Sequence, residues 1–86
     1  MAGSSVQRVD LSQVAARFPR DSALIRRLML RDETFRGICE EYVLAKASLS
    51  WFETQPNADG RPEVADFRSL IPSLELEIEQ FLRQAR

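Results

Sequence analysis

The residues of this chain that could carry out chemistry are mainly carboxylates, because the sequence contains no histidine. Acidic side chains cluster at Glu40–Glu41 and in the alternating run Glu75, Glu77 and Glu79. Carboxylates on the facing helices of a bundle can hold a pair of metal ions, but such sites also draw histidine from Glu-x-x-His motifs. We therefore predict that these groups form a solvated acidic surface, and we expect neither a metal site nor any other cofactor.

The single cysteine, Cys39, cannot form an internal disulfide, which favours a reducing, cytoplasmic location. A reactive cysteine needs a lowered pKa from nearby cations or a helix N-terminus, whereas two glutamates follow Cys39. We predict a half-buried filler at the edge of the core. The chain also has no glycine-rich phosphate loop, nucleophile elbow or zinc-ligand spacing, so we expect no catalytic residues and no enzyme.

The composition favours one small helical domain. A chain of 86 residues is short for more than one domain, and its 3 glycines and 4 prolines are few for a turn-rich sheet. The longest apolar runs fall far short of the ~20 residues of a membrane span, and the N-terminus lacks the pattern of a signal peptide. We expect no membrane partner.

The net charge of -1 hides an asymmetry along the chain. Residues 1–31 carry six Arg and two Asp, a formal charge of +4, whereas residues 32–86 carry six cations and eleven carboxylates, a formal charge of -5. The basic part either lies against acidic residues, within the molecule or across a dimer, or contacts nucleic acid. No aromatic residues interleave with these arginines as stacking platforms, so we favour the first reading. The possible basic patch is Arg20, Arg26, Arg27 and Arg31.

Local signals divide the chain into four helices after a disordered tail of residues 1–9. Asp10 is predicted to cap the first short helix and Asp32 the first long one. Proline and glycine in the stretch QPNADGRP break the chain between the long helices, and Pro62 suits a first helical position. The predicted helices within the single domain 10–86 cover about residues 11–17, 19–30, 33–54 and 62–84.

Both long helices carry apolar residues in alternating steps of three and four, the seam pattern of a coiled coil. The short linker between them predicts a long antiparallel helical hairpin. Tyr42 lies in the seam, and its hydroxyl is expected to reach a partner at the edge. Pro72 falls inside the last helix without shifting the seam, which predicts one continuous helix with a bend. The seam positions are Phe35, Ile38, Tyr42, Ala45, Leu49 and Phe52 in one helix, and Val64, Phe67, Ile71, Leu74, Ile78, Phe81 and Ala85 in the other.

This layout resembles a family of known proteins over roughly residues 18–82. A Phe-Pro start is followed by an aromatic residue early in a long helix, a tyrosine in mid-helix, a polar break and an acidic final helix. In this respect the chain resembles the YdcH-like family of small, uncharacterised bacterial helical-hairpin proteins. The resemblance implies a self-associating helical hairpin and no catalytic residue. The residues that carry it are Phe18-Pro19, Leu24-Ile25, Leu28, Asp32, Phe35, Glu41-Tyr42, Phe52-Glu53 and Glu63.

The only tryptophan, Trp51, lies off the seam, about 100° around the helix from Phe52. With Leu44 and Ala47 it forms a second apolar strip, near Val43. A helix with two apolar strips is packed on two sides. The N-terminal segment, a second protomer or a different protein could cover Trp51, and we favour a second protomer in a four-helix-bundle homodimer.

The sequence therefore predicts a non-catalytic helical module for protein–protein interaction, in an unknown pathway. Its interaction surface is Leu44, Ala47 and Trp51, and a partner's amphipathic helix is the expected ligand besides a second copy. Gly37 permits close approach either of the preceding short helix or of another chain. The alternative is a small regulator that contacts nucleic acid through the basic patch, although nucleic acid is the less expected partner.

Overall fold

The structure is a computed structural model, and it describes residues 11–86 of the chain. These residues form four α-helices with no β-strand among them, so the all-α prediction is confirmed. Two short 3₁₀ turns precede the second and the fourth helix. The helices are α1 (Ser12–Arg17), α2 (Ser22–Arg31), α3 (Glu33–Glu53) and α4 (Pro62–Ala85), and the 3₁₀ turns are Pro19–Asp21 and Ala58–Gly60.

The two long helices begin where the sequence predicted. The Asp32 carboxylate accepts hydrogen bonds from the backbone N–H groups of Thr34 and Phe35, at 3.0 and 3.1 Å, and this confirms Asp32 as the N-cap of α3. Pro62 is the first residue of α4, where a missing N–H leaves no hydrogen bond unmade. The predicted Asp10 cap and the tail of residues 1–9 lie outside the described residues.

The second helix begins later than the predicted residue 19. Pro19 starts a 3₁₀ turn, and α2 begins only at Ser22. The backbone at Asp21, with φ -110° and ψ 17°, lies outside the α-helical region and separates the two segments. Short 3₁₀ turns are common as connectors of this kind.

The long helices α3 and α4 lie side by side and run in opposite directions. The ring of Phe35, early in α3, packs edge-on against Phe81, late in α4, with centroids 5.5 Å apart. At the other end, Phe52 packs against Phe67 with centroids 5.9 Å apart. This arrangement gives α3 an inner face on α4 and leaves its opposite face outside the pair.

The core also includes both short helices. Val14 of α1 and Ile25 of α2 are buried in the same cluster as the facing sides of α3 and α4. Cys39, Val43 and Leu82 are buried as well, although none of them is a seam position. The seam pattern describes packing between two helices, whereas the short helices form a third layer that it does not include.

The helix α4 is continuous through Pro72, as predicted. Pro72 is exposed, so its ring lies on the solvent side of the helix. Its nitrogen carries no hydrogen, so the usual hydrogen bond to the carbonyl four residues earlier is absent. The bend at Pro72 stays a prediction.

Candidate interaction surface

The helix α3 presents the predicted strip because its two sides are in different surroundings. Its inner face is buried at Phe35, Tyr42 and Ala45, which fixes the rotation of the helix against α4. Leu44 and Trp51 lie seven residues apart on the opposite side, and Ala47 lies between them. We call these three residues the outer strip.

The outer strip is exposed. The side chains of Leu44 and Trp51 are 55% and 59% exposed, and Ala47 is exposed between them. The Trp51 ring meets the edge of its neighbour Phe52, with centroids 5.1 Å apart, and this contact covers only part of the indole. Single exposed apolar residues are ordinary on protein surfaces, whereas three apolar residues in steps of three and four on one helix face mark a candidate interaction surface.

Two residues after Trp51 stabilise the C-terminal end of α3 with their side chains. The backbone carbonyl of Trp51 accepts hydrogen bonds from the Thr54 hydroxyl at 2.6 Å and the Gln55 amide at 3.3 Å. Side-chain donors of this kind satisfy the unpaired carbonyls at a helix C-terminus. The backbone that carries Trp51 is therefore anchored, even though its side chain is exposed.

The described part of the N-terminal segment does not cover Trp51. One of the alternatives weighed from the sequence was that the N-terminal segment, with Leu11, Val14 and Phe18, continues up α3 and covers Trp51, and for these residues the structure does not support it. Val14 is buried in the central cluster, and Phe18 lines a groove beside Pro72. Val43, which we placed near the strip, is 5% exposed and belongs to the core.

A polar cluster joins three helices at the other side of α3. The Tyr42 hydroxyl donates a hydrogen bond to Glu75 Oε2 at 2.8 Å, so the predicted partner at the seam edge is confirmed. Arg17 Nε donates to the same oxygen at 3.1 Å. Burial, together with the hydrogen bond to Glu75, raises the pKa of Tyr42 to about 12. Burial alone would raise the pKa of Glu75, but the Tyr42 hydroxyl and the Arg17 guanidinium outweigh it and lower that pKa.

The position of Glu75 corrects the prediction of a uniformly solvated acidic surface. Its side chain is 25% exposed, whereas Glu77 is exposed, and Glu79 forms an ion pair with Arg83 at 3.5 Å. Glu75 belongs to the cluster because α1 brings Arg17 to α4, 58 residues away in the chain. No local pattern predicts that contact, and the only available signal was a tyrosine in the seam, which needs a partner for its hydroxyl.

Cys39 is buried more deeply than predicted. We expected a half-buried residue, whereas its side chain is fully buried in the core. Burial, with a contribution from the charge of Glu40, raises the pKa of the thiol to about 12. The thiolate is the reactive form, so these surroundings suppress alkylation and oxidation.

The four arginines of the possible basic patch are all exposed. Arg20 lies in the 3₁₀ turn, and Arg26, Arg27 and Arg31 lie on α2. None of them forms an ion pair with an acidic group among residues 11–86, so contacts within the described molecule do not account for them. Leu30, which we did not single out from the sequence, is 84% exposed on the same helix.

Two grooves flank α1 and were not predicted. One lies between α1 and α2 and is mainly apolar. The other lies where α1 ends against α4, next to Leu76, whose side chain is 60% exposed. Each lies where α1 packs against another helix, and sequence periodicity does not describe that packing. The first groove is lined by Leu11, Ser12, Ala15, Ile25, Arg26 and Met29, and the second by Arg17, Phe18, Pro72, Glu75, Leu76 and Glu79.

The described residues contain neither a cluster of metal-binding side chains nor a membrane-spanning helix. Across residues 11–86, no group of three or more His, Cys, Asp or Glu side chains is arranged to hold a metal ion. In the same residues, no helix combines the length and apolar character that crossing a membrane requires.

Comparisons with known proteins add no relative. A scan against protein-family models found no match to this chain, and searches of the curated proteins and of the solved structures found no significant match. The resemblance to the YdcH-like family therefore stays a prediction.

Proposed function

We propose that this protein is a non-catalytic helical interaction module, in which the outer strip of α3 docks an amphipathic helix. The observation that supports this is the exposure of Leu44 and Trp51 on a helix whose opposite face is buried in the core at Phe35, Tyr42 and Ala45. Aromatic residues are enriched at protein interfaces, and tryptophan in particular often dominates their energetics. The docked helix belongs either to a second copy, as in the predicted homodimer, or to another protein.

A helix suits the strip better than an extended peptide does. The outer strip follows one side of an α-helix over residues 44–51, about 10 Å. An amphipathic helix laid along it presents its own apolar residues at steps of three and four, in register with those of the strip. An extended peptide would bind a sheet edge through backbone hydrogen bonds, and the backbone groups of α3 are already paired within the helix.

Photo-crosslinking in cells that express the protein tests this proposal. A benzophenone amino acid is placed at Ala47, within the strip, or at Ala65, an exposed alanine on α4 that serves as the matched control. We expect a specific crosslinked product from position 47, mapped by mass spectrometry to a helical segment, and a much weaker one from position 65. Trp51→Ala should abolish the product from position 47.

Equal crosslinking at the two positions, or a product that survives Trp51→Ala, would contradict the proposal. Replacing Trp51 is not expected to unfold the chain, because its side chain is largely exposed. Circular dichroism of the Trp51→Ala variant checks that the helices remain.

A second candidate function rests on the basic patch. Arg20, Arg26, Arg27 and Arg31 are exposed and without acidic partners among residues 11–86, as a surface for phosphate groups requires. Binding of labelled duplex DNA and of single-stranded RNA would be measured by anisotropy across a salt series. Steep salt dependence that weakens in Arg26→Gln/Arg27→Gln but not in Arg83→Gln would support it, and no binding at low ionic strength would dismiss it.

A further inference from the structure

The outer strip continues toward the N-terminus of α3 as a longer face. The steps of three and four that join Leu44, Ala47 and Trp51 extend backwards to Glu40 and Gly37. All five residues are exposed, so α3 carries one unpartnered face along most of its length. Its first half is small and acidic, and its second half is apolar.

Gly37 has no explanation within the described molecule. A glycine inside a helix costs about 1 kcal/mol relative to alanine. An ideal Cβ built on Gly37 would meet nothing within 4 Å, and no glycine among residues 11–86 has a positive φ. The structure therefore removes one of the two roles predicted for Gly37, close approach of the preceding short helix. The remaining role is close approach of another chain.

Gly37 and Trp51 lie at equal distances from the middle of this face. Each is seven residues from Leu44, about 10 Å along the helix axis. A twofold axis that passes beside Leu44 and reverses the direction of the second helix would bring Trp51 of each copy opposite Gly37 of the other. The largest side chain of the face would then meet the position that has none.

The charges on the face favour the same direction. In a parallel pair, Glu40 of each copy would oppose the same residue of the other, and so would Glu33. In the antiparallel pair centred on Leu44, the two Glu40 residues are about 12 Å apart along the axis, and each lies beside Ala47 of the second copy. The face carries no charge from Leu44 to Trp51, so the acidic half of each helix meets a neutral half.

We propose that two copies of this chain pair through α3 in antiparallel orientation, with the twofold axis beside Leu44 and Trp51 of each copy seated over Gly37 of the other. The inference rests on the proposed function and identifies the docked helix as α3 of a second copy. It also assigns a function to a glycine that otherwise only weakens its helix.

Filling the space above Gly37 tests the pairing. In Gly37→Leu the new side chain meets open space within one copy, and leucine favours a helix more than glycine does, so the folded monomer should melt no lower than the wild type. The same side chain would collide with Trp51 of the second copy. Overpacking of this kind should raise the dimer dissociation constant about tenfold or more.

Sedimentation equilibrium measures the result. We expect a wild-type dimer, a weakened or absent dimer in Gly37→Leu and in Trp51→Ala, and an unchanged dimer in Ala65→Leu, which adds the same side chain to an exposed position of α4. A monomeric wild type, or a Gly37→Leu dimer as tight as the wild type, would overturn the inference.

Disulfide trapping tests the direction. In the proposed register Glu41 of one copy flanks Ser48 of the other, within about 2 Å along the axis, whereas two copies of Glu41 are about 9 Å apart along it. Neither Glu41→Cys nor Ser48→Cys should crosslink alone, and a mixture of the two should crosslink under mild oxidation. Cys39 stays in place, because it is buried and its thiol pKa is raised to about 12.

Crosslinking of Glu41→Cys with itself would contradict the antiparallel register and overturn the proposal. A failure of this inference can be distinguished from a failure of the proposed function. If the wild type is monomeric while position 47 still crosslinks to another protein, the strip docks a foreign helix and only the self-pairing is wrong.

Discussion

The hydroxyl of Tyr42 links a buried aromatic ring to a polar cluster that joins three helices. Its ring is fully buried, and its hydroxyl reaches the half-buried carboxylate of Glu75, which Arg17 also contacts. The three side chains come from α3, α4 and α1, so this cluster fixes how the short first helix lies on the long pair. A hydrogen bond to a charged group contributes more than one between neutral groups, because the charge strengthens it.

Tyr42→Phe should lower the free energy of unfolding by about 1 kcal/mol, which is less than the roughly 1.5 to 3 kcal/mol typical of a hydrogen bond to a charged group, because Glu75 keeps Arg17 and some solvent. The phenylalanine ring fills the same space, so packing should not change. Urea unfolding followed by circular dichroism measures the effect. In a Glu75→Gln background, where the amide oxygen can still accept the hydroxyl, the same substitution should cost less, and an equal cost in both backgrounds would show that the charge of Glu75 adds nothing to the hydrogen bond.

The lowered pKa of Glu75 predicts a loss of stability in acid. A carboxyl with a lower pKa in the folded than in the unfolded state adds stability at pH values above its unfolded pKa, about 4.3 for glutamate. That contribution should fall as the pH drops below about 5 and vanish below the folded pKa. Urea unfolding between pH 7 and pH 3 should show a smaller decline for Glu75→Gln than for the wild type. Glu77→Gln, at an exposed site on the same helix, should follow the wild-type profile.

At the scale of the elements, α3 is the described α-helix whose first turn has a side-chain N-cap. Asp32 accepts two of the backbone N–H groups that the start of a helix leaves unpaired. Asp32→Ala should lower the free energy of unfolding by about 1 kcal/mol, and Asp32→Ser should restore most of it, since serine is also a good cap. Thermal and urea unfolding of both variants measures this. Equal losses in both would mean that the Asp32 charge, and not its role as a cap, supports the helix.

The features of the helices that the sequence predicted best are those that depend on residues close by in the chain. Asp32 as a cap and Pro62 as a first residue are local matters of backbone chemistry, and both were found correctly. The break at Asp21 was missed, because Pro19 suits the start of a 3₁₀ turn as well as that of an α-helix. The burial of Val43 and Leu82 was missed because it depends on a third layer of packing.

The candidate site was predictable in part for the same reason. That Trp51 lies off the seam follows from helical geometry alone. That the described N-terminal residues leave it exposed depends on where α1 packs, which no periodicity determines. The open space above Gly37 is likewise a property of the folded molecule.

At the scale of the whole molecule, charge is distributed by element. Within residues 11–86, two ion pairs join the N-terminal elements to the long pair: Arg17 of α1 with Glu75 of α4, and Arg86 at the end of α4 with Asp21 of the first 3₁₀ turn, at 2.6 Å. The exposed arginines of α2 take part in neither. These exposed arginines therefore remain available to partners.

Size gives the last reason to expect self-association. A chain of 86 residues buries only about 60 to 65% of its unfolded surface, so a dimer that covers Leu44 and Trp51 adds apolar burial that one copy lacks. Because two copies must meet, the melting temperature of the wild type should rise with protein concentration, and that of Gly37→Leu should not.

Trp51 is the only tryptophan, so its fluorescence emission maximum reports the same dimerisation. Dilution should shift it to longer wavelength in the wild type as the indole becomes exposed, and should leave it at long wavelength in Gly37→Leu. If neither the emission maximum nor the melting temperature of the wild type depends on protein concentration, Trp51 stays exposed in the isolated protein and is available to a different helix.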